Sequence, residues 1–158
     1  MTGRLHRLVV AVYARLPERA RLRLLRLVAP TYTVGAICVV VSDRGELLLV
    51  RQSYRPDWTF VGGSLDRREA PADAGRREAL EEIGVAIELT GPPAVVAYPD
   101  RRDLHLVYPA RLVDETLVPR AVPPEILEVG WFPPGALPVL HREAQRALET
   151  LRAAGAAV

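Results

Sequence analysis

The spacing of hydrophobic residues changes at Pro30 and divides the chain into a helical beginning and a strand-rich remainder. Before Pro30, leucines and valines recur among arginines at helical spacing, and Pro17 interrupts the pattern, which predicts two short amphipathic helices. After Pro30, runs of apolar and β-branched residues are separated by turn-forming residues, which predicts strands. The predicted strands are Tyr32–Val41, Glu46–Gln52, Ala86–Leu89, Val95–Tyr98, Asp103–Val113 and Glu128–Phe132.

Two further helices are predicted among and after these strands. One covers about Ala72–Ile83, with Pro71 at its first position and Gly84 just beyond its end. The other closes the chain at about His141–Ala153. Helices placed between and after strands favour an α/β fold in which helices flank a mixed sheet.

Length and composition are those of a single globular domain. We therefore predict one domain, 1–158, in which residues 1–29 form an N-terminal helical extension. The single cysteine, Cys38, excludes an internal disulfide, and its place in an apolar run predicts a buried side chain and a reducing, cytoplasmic location. No apolar run reaches the length of a membrane-spanning helix, and the stretch Leu8–Ala14 lacks the pattern of an export signal.

Charge is unevenly distributed along the chain. The formal net charge is only +2, but residues 4–26 contain seven arginines and one acid, Glu18. Basic amphipathic helices of this kind can bind anionic membranes or RNA, but packing against the domain or across a homodimer is the commoner use. All 21 basic residues are arginine, which is typical of a GC-rich bacterial genome, so arginine content alone does not indicate nucleic-acid binding.

Three glutamates of the predicted helix Ala72–Ile83 share one face. Glu78, Glu81 and Glu82 stand at i, i+3 and i+4, where like charges destabilise a helix, and we identify no arginine or lysine on the same stripe. A cation is therefore expected beside them. Hard carboxylate oxygens suit Mg²⁺, or Mn²⁺ in its place, together with water and phosphate oxygens. A solvated acidic helix face is the alternative explanation of the same pattern.

The segment Gly63–Val85 fits the pattern G-x5-E-x7-R-E-U-x-E-E-x-G-U without a gap, where U is aliphatic or small. This pattern is the Nudix box, and the chain therefore resembles the Nudix hydrolases. The resemblance implies an α/β/α sandwich around a mixed sheet. It also implies roles for individual residues: Glu81 and Glu82 as principal metal ligands, the Gly62 carbonyl as a backbone ligand, Glu78 as a further ligand or general base, Arg77 as the residue that holds Glu78, and Glu69 as a contact of a metal or of Arg77.

Three positions depart from the common family pattern or weaken the helix. Arg68 stands where the family often has a glycine, Ala70 stands where a capping serine or threonine is common, and Gly75 lies inside the helix. The missing cap and the internal glycine each cost about 1 kcal/mol of helix stability. We therefore expect an altered loop around Arg68 and a helix that depends on metal and tertiary contacts for its order.

Residues outside the box are candidates for metal and substrate binding. Glu125 precedes the segment Trp131–Phe132, and in many family members a glutamate of a similar segment can reach the metals as a ligand or base, although an exposed loop acid explains Glu125 equally well. Aromatic and basic residues near the box could stack on a nucleobase or hold phosphate. The substrate-binding candidates are Arg51, Trp58 and Tyr54. His105 is interpreted only as part of one strand face.

The resemblance implies hydrolysis of a phosphoanhydride bond in a nucleoside diphosphate linked to another moiety, X, by metal-activated water. Nucleoside triphosphates and nucleotide sugars such as ADP-ribose both satisfy this description, because the box does not determine X. Two alternatives remain open. One is a nucleotide-sensing regulatory module with a Nudix fold and little turnover, and the other is an RNA 5′-end pyrophosphohydrolase that uses the basic N-terminal helices. The intact set of Glu78, Glu81 and Glu82 favours the enzyme.

Overall fold

The computed structural model describes residues 2–158, which form two compact units, one that ends at Tyr32 and one that runs from Thr33 to Val158. Met1, which belongs to the predicted extension 1–29, lies outside the described residues. Among the helices of the described chain, none combines the length and the apolar character needed to cross a membrane. The assignment of the whole chain to one domain stays a prediction.

The first unit contains α1 (Thr2–Arg15) and α2 (Glu18–Val28). The Arg21 side chain donates hydrogen bonds from Nε to the carbonyl oxygen of Leu16, at 2.8 Å, and from Nη2 to that of Ala14, at 2.6 Å. The last carbonyls of a helix have no partner within that helix, so this arginine satisfies two groups at the end of α1. It thereby ties α2 to α1.

The second unit is built on a mixed sheet of five strands. Its central pair is β1 (Thr33–Val40) and β7 (Asp103–Leu112), which run parallel. Three shorter strands pair antiparallel with them: β4 (Val61–Ser64) with β1, and β5 (Ile87–Leu89) and β6 (Ala94–Tyr98) with β7. The mixed sheet expected from the sequence is confirmed.

A second, antiparallel sheet of three strands is an addition to that expectation. Its strands, in spatial order, are β3 (Trp58–Thr59), β2 (Leu47–Gln52) and β8 (Ile126–Phe132). The sequence predicts neither β3 nor β4, because both are very short and because the glycines of β4 weaken the strand signal. The Gly62–Gly63 segment is therefore part of a strand.

Two helices cover opposite faces of the mixed sheet. The box helix, α3 (Pro71–Ile83), packs on β1 and β4, and α4 (Arg142–Ala153) packs on β6 and β7. Side chains of β1 alternate between the two layers, so that Cys38 belongs to the core under α3 and Val39 to the core under α4. The α/β/α arrangement is confirmed, and each helix starts within one residue of its predicted start.

The glycine inside α3 has a packing role that the sequence does not reveal. A Cβ atom at Gly75 would lie 2.7 Å from Sγ of Cys38, so the absence of a side chain lets α3 approach β1 closely. Cys38 is fully buried, as predicted, and burial raises the pKa of its thiol to about 12. Close packing thus compensates for the low helix propensity of this glycine.

Candidate active site

The two glycines of β4 bring the protein backbone next to the carboxylates of α3. Gly62 pairs with Ile37 of β1 and has φ +148°, and a Cβ atom there would overlap the carbonyl oxygen of Ala36. Only glycine fits this position. At Gly63, a Cβ atom would lie 2.5 Å from Oε1 of Glu78, so the space that a side chain would occupy is filled by a carboxylate.

Glu82 is the buried carboxylate of the box. Its side chain is only 3% exposed, and its Oε2 atom accepts a hydrogen bond of 2.9 Å from the backbone N–H of Gly62. Burial raises the pKa of Glu82 to about 8; the Gly62 hydrogen bond opposes this rise, and the negative charges of Glu78 and Glu125 add to it. A desolvated carboxylate beside two other acids is stabilised by a cation.

Arg77 connects the remaining carboxylates of the box. Its Nε and Nη2 atoms donate to both oxygens of Glu69, at 2.9 and 3.0 Å, and its Nη1 atom donates to Oε1 of Glu78 and Oε2 of Glu81, each at 2.9 Å. A further bond of 3.1 Å runs from Nη2 to the carbonyl oxygen of Ser64. The expectation that no arginine shares the acidic stripe is therefore wrong, because Arg77 stands four residues before Glu81 on the same face.

The donor set suits a divalent cation in its chemistry, although its carboxylates are not gathered around one point. Within residues 2–158, no three side chains of His, Cys, Asp or Glu are grouped closely enough to hold a metal ion. Arg77 instead bonds to Glu69, Glu78 and Glu81, whereas Glu82 accepts from the backbone N–H of Gly62. Carboxylate and carbonyl oxygens are the ligands that Mg²⁺ and Mn²⁺ prefer, so the residues fit such an ion.

Glu125 reaches this site from the loop before β8. Its Oε1 atom accepts a hydrogen bond of 3.3 Å from the hydroxyl of Tyr54, and its backbone carbonyl accepts one of 2.8 Å from the N–H of Ser53. Its charge helps to raise the pKa of Glu78, for which burial is the main cause and Arg77 the main opposing influence. The structure therefore brings two sequence-selected residues, Glu125 and Tyr54, to the carboxylates of the box.

Arg51 and Trp58, the other two substrate-binding candidates, do not lie in the cleft. Arg51 forms an ion pair with Glu128 of the neighbouring strand, because successive side chains of β2 point to opposite faces and the next residue, Gln52, takes the cleft side. Trp58 packs edge-on against Phe132, with ring centroids 4.9 Å apart. Neither residue lines the cleft beside the carboxylates, so the geometry does not support their selection as substrate-binding residues.

A cleft of about 320 Å³ begins at Gly62 and Gly63 and runs away from the box. Its other end is formed by residues from the loop after β2, from the 3₁₀ turn Pro99–Arg101, and from the starts of β7 and α4. The residues of that end are Arg55, Arg101, Asp103, His105 and Glu143. Sequence reasoning does not select Arg101, Asp103 or Glu143, and it assigns His105 only to a strand face. The period-two alternation of β7, which puts Asp103 and His105 on one side, is the signal that points to them.

Comparison with known proteins agrees with this arrangement. A family model described as NUDIX domain matches residues 31–154. A Bacillus subtilis (strain 168) protein, which its name assigns provisionally as an 8-oxo-dGTP diphosphatase, is 31% identical over 109 residues, or 68% of this chain and 71% of the relative. A MutT-like protein from Streptomyces ambofaciens is 30% identical over 131 residues, or 80% of this chain and 81% of the relative. The crystal structure of a MutT NUDIX hydrolase from Burkholderia pseudomallei matches with a TM-score of 0.67 and 31% identity, covering 77% of this chain and 99% of that one.

Proposed function

This chain belongs to the NUDIX domain family of hydrolases, and on that premise we propose that it hydrolyses a phosphoanhydride bond of a nucleoside diphosphate linked to a moiety X, in a reaction that requires Mg²⁺. The observation that carries this proposal is the position of the Glu78 and Glu82 carboxylates against the bare backbone of Gly62 and Gly63, at the mouth of a cleft. Both glycines also line the cleft, so a cation held by these carboxylates can contact the phosphate oxygens of a bound nucleotide.

In this proposal Glu81 and Glu82 are the principal ligands of the metal, and the Gly62 carbonyl and Glu78 are the further ligands from the protein. A bound Mg²⁺ neutralises phosphate charge and lowers the pKa of coordinated water. The metal also relieves the cost of burying the charge of Glu82, whose pKa burial raises to about 8. Mn²⁺ has the same ligand preferences and is expected to substitute for Mg²⁺.

Arg77 is the positioning residue of the site. It bonds Glu69, Glu78 and Glu81 at once, so it limits the orientations that these carboxylates can take. Glu69 in turn accepts a hydrogen bond of 2.8 Å from the backbone N–H of Asp66. The box loop and the middle of α3 are thereby tied together, and the acids proposed as metal ligands are held near one another.

Glu125 is the proposed general base, with Glu78 as the alternative. It lies at the carboxylates of the box without a bond to Arg77, and the hydroxyl of Tyr54 holds its Oε1 atom at 3.3 Å. A carboxylate in this position can orient a water molecule and accept its proton during attack on phosphorus. Tyr54, on the cleft wall, is the proposed contact of the nucleotide.

The test is nucleotide release from nucleoside triphosphates, including 8-oxo-dGTP, nucleotide sugars, ADP-ribose and 5′-triphosphorylated RNA, with Mg²⁺, with Mn²⁺ and with chelator. We expect metal-dependent turnover of a small-molecule class and a loss of at least about 1000-fold in kcat for Glu82→Gln, since removal of a metal ligand removes the activated water. Glu88→Gln is the matched control, because Glu88 is exposed and pairs with Arg111 away from the cleft.

Other outcomes would replace the proposal. Metal-dependent nucleotide binding without turnover of any compound would favour the nucleotide-sensing module. Turnover confined to the RNA substrate would favour RNA 5′-end hydrolysis. Equal loss of activity in Glu82→Gln and Glu88→Gln would show that the effect does not arise at the proposed metal site.

A further inference from the structure

The far end of the cleft, distant from the box, is organised around the carboxylate of Glu143 at the start of α4. Arg101 donates from Nη2 to Oε1 of Glu143 at 2.7 Å, and Arg55 donates from Nη1 to Oε2 at 3.4 Å. Arg101 also lies 3.6 Å, Nε to Oδ2, from Asp103. We call this group, Arg55, Arg101, Asp103 and Glu143, the far cluster.

The far cluster carries no net charge, because its two arginines are matched by two carboxylates. Burial raises the pKa of Glu143, but the hydrogen bond from Arg101 and the charges of Arg101 and Arg55 together lower it below its ordinary value. Glu143 is therefore ionised at neutral pH although its side chain is only 17% exposed. The cluster offers charged acceptors and charged donors side by side.

The far cluster is a poor binding site for a further phosphate group of the substrate. A phosphate group at the far end would lie against Glu143 and Asp103, and the guanidinium groups that could neutralise it already bond to Glu143. The repulsion between a phosphate and these two carboxylates would be strengthened by their partial burial. The contrast with the box end is direct, because there the acids outnumber the single arginine and call for a cation.

Hydroxyl groups, in contrast, match the far cluster. A hydroxyl donates one hydrogen bond and accepts others, so neighbouring hydroxyls can donate to a carboxylate and accept from a guanidinium. His105 adds a further polar atom, since its Nδ1 is buried without a hydrogen-bond partner in the described structure. The His105 ring packs against bare backbone, since a Cβ atom at Gly35 would lie 3.2 Å from its Cδ2 atom.

A further cavity adjoins the far cluster. A second cavity, of about 550 Å³, shares Arg101 and Glu143 with the cleft and is lined further by Tyr98 and Arg146. The guanidinium carbons of Arg101 and Arg146 lie 4.6 and 4.9 Å from the centre of the Tyr98 ring. The far cluster therefore lies where the two cavities adjoin, and a ring bound there can carry substituents that extend toward the second cavity.

We propose that the far cluster binds an uncharged sugar ring through its hydroxyls, with Glu143 as the residue that selects it, so that X is a sugar and not a further phosphate. This inference rests on the proposed hydrolysis of a nucleoside diphosphate linked to X. Glu143 accepts from two hydroxyls of the ring, Arg101 and Arg55 donate to them, and the phosphoanhydride lies toward Gly62 and Gly63.

The test compares Glu143→Gln with wild type on ADP-ribose, a uridine diphosphate hexose, ATP and UTP. We expect KM for the two nucleotide sugars to rise about 10-fold, because charge-assisted hydrogen bonds become neutral ones, while KM for ATP and UTP stays the same or falls. Changes in kcat are expected to be smaller. Glu88→Gln, which removes the same charge from an exposed position of β5 outside both cavities, is expected to change neither class.

An equal rise in KM for sugars and triphosphates would overturn the inference, and so would unchanged KM for the sugars. If Glu143→Gln does not fold, Asp103→Asn removes a charge from the same cluster and is expected to show the same selective rise. Absence of turnover with every compound would contradict the proposed function, and calorimetric Kd values of ADP-ribose and ATP would then decide the inference: a selective loss of ADP-ribose binding supports it, and parallel values overturn it.

Discussion

The two ends of the cleft are built in different ways. At the box end, Glu69, Arg77, Glu78, Glu81 and Glu82 come from one continuous segment and leave an excess of negative charge. At the far cluster, four residues from three separate parts of the chain form a neutral group of ion pairs. An excess of buried negative charge requires a cation, whereas a balanced group can recognise a neutral partner. One end is therefore suited to reaction and the other to selection.

The largest expected effect concerns the backbone of the box end. Gly62→Ala is expected to lower the free energy of unfolding by about 4 kcal/mol, because the new Cβ would overlap the carbonyl oxygen of Ala36 and because φ is +148°. Gly135→Ala is the control, since no atom lies within 4 Å of a Cβ there, and we expect a change within about 0.5 kcal/mol. Urea unfolding measures both. Similar values for the two variants would contradict the close approach of β4 to β1.

The second prediction concerns the buried charge of the box end. The folded-state pKa of Glu82 is about 8, above the ordinary value of 4.5, so the unfolded chain loses its proton first as pH rises. The contribution of Glu82 to the free energy of unfolding of the metal-free protein is therefore fully present below pH 4.5. It is lost as pH rises toward 8, by about 1 kcal/mol per pH unit over that interval.

Glu82→Gln cannot ionise and is expected to remove this slope in chelator, while its Gln side chain can still accept from the N–H of Gly62. Thermal or urea unfolding of both proteins at pH 5, 6, 7 and 8 checks the prediction. The Glu143→Gln variant should keep the wild-type slope, because Glu143 has a lowered pKa. A slope of equal size in wild type and Glu82→Gln would assign it to other groups.

The third prediction separates reaction from selection. Arg77→Gln is expected to lower kcat about 30-fold with little change in KM, because Glu78 and Glu81 lose the donor that positions them. Arg101→Gln is expected to raise KM about 10-fold with little change in kcat, because the far cluster loses a charged donor. Steady-state kinetics on one substrate measures both. The same kinetic pattern in the two variants would remove the distinction between the ends.

The sequence predicts the box end well because its information is local. Helical spacing places Glu78, Glu81 and Glu82 on one face of α3, and the flanking Pro71 and Gly84 mark its ends without any knowledge of the rest of the fold. Gly62–Gly63 is the exception. Its strand depends on pairing with β1, which a short glycine-containing segment does not reveal.

The far cluster could not be predicted in the same way. Arg55, Arg101 and Glu143 are each ordinary surface residue types, and only the fold brings the turn before β7 to the start of α4. Arg51 illustrates the reverse case, since proximity to the box in sequence suggests a role in substrate binding, whereas strand alternation turns its side chain toward Glu128. Local sequence patterns do not predict contacts between segments that are far apart in the chain.

The smallest expected effect compares one strained arginine at each end. Arg68 in the box loop has φ +69° and Arg102 before β7 has φ +54°, both in the left-handed region where a side chain costs energy and glycine does not. Both side chains are exposed, so glycine removes strain without removing packing.

We expect Arg68→Gly and Arg102→Gly each to raise the free energy of unfolding by about 0.5 kcal/mol, after the greater unfolded-state entropy of glycine is included. Arg67→Gly, at a neighbouring exposed residue without a positive φ, should instead lower it by a similar amount. If all three variants were destabilised alike, the left-handed conformation at Arg68 would not be a source of strain, and the arginine that replaces the usual glycine of the family would have no energetic cost.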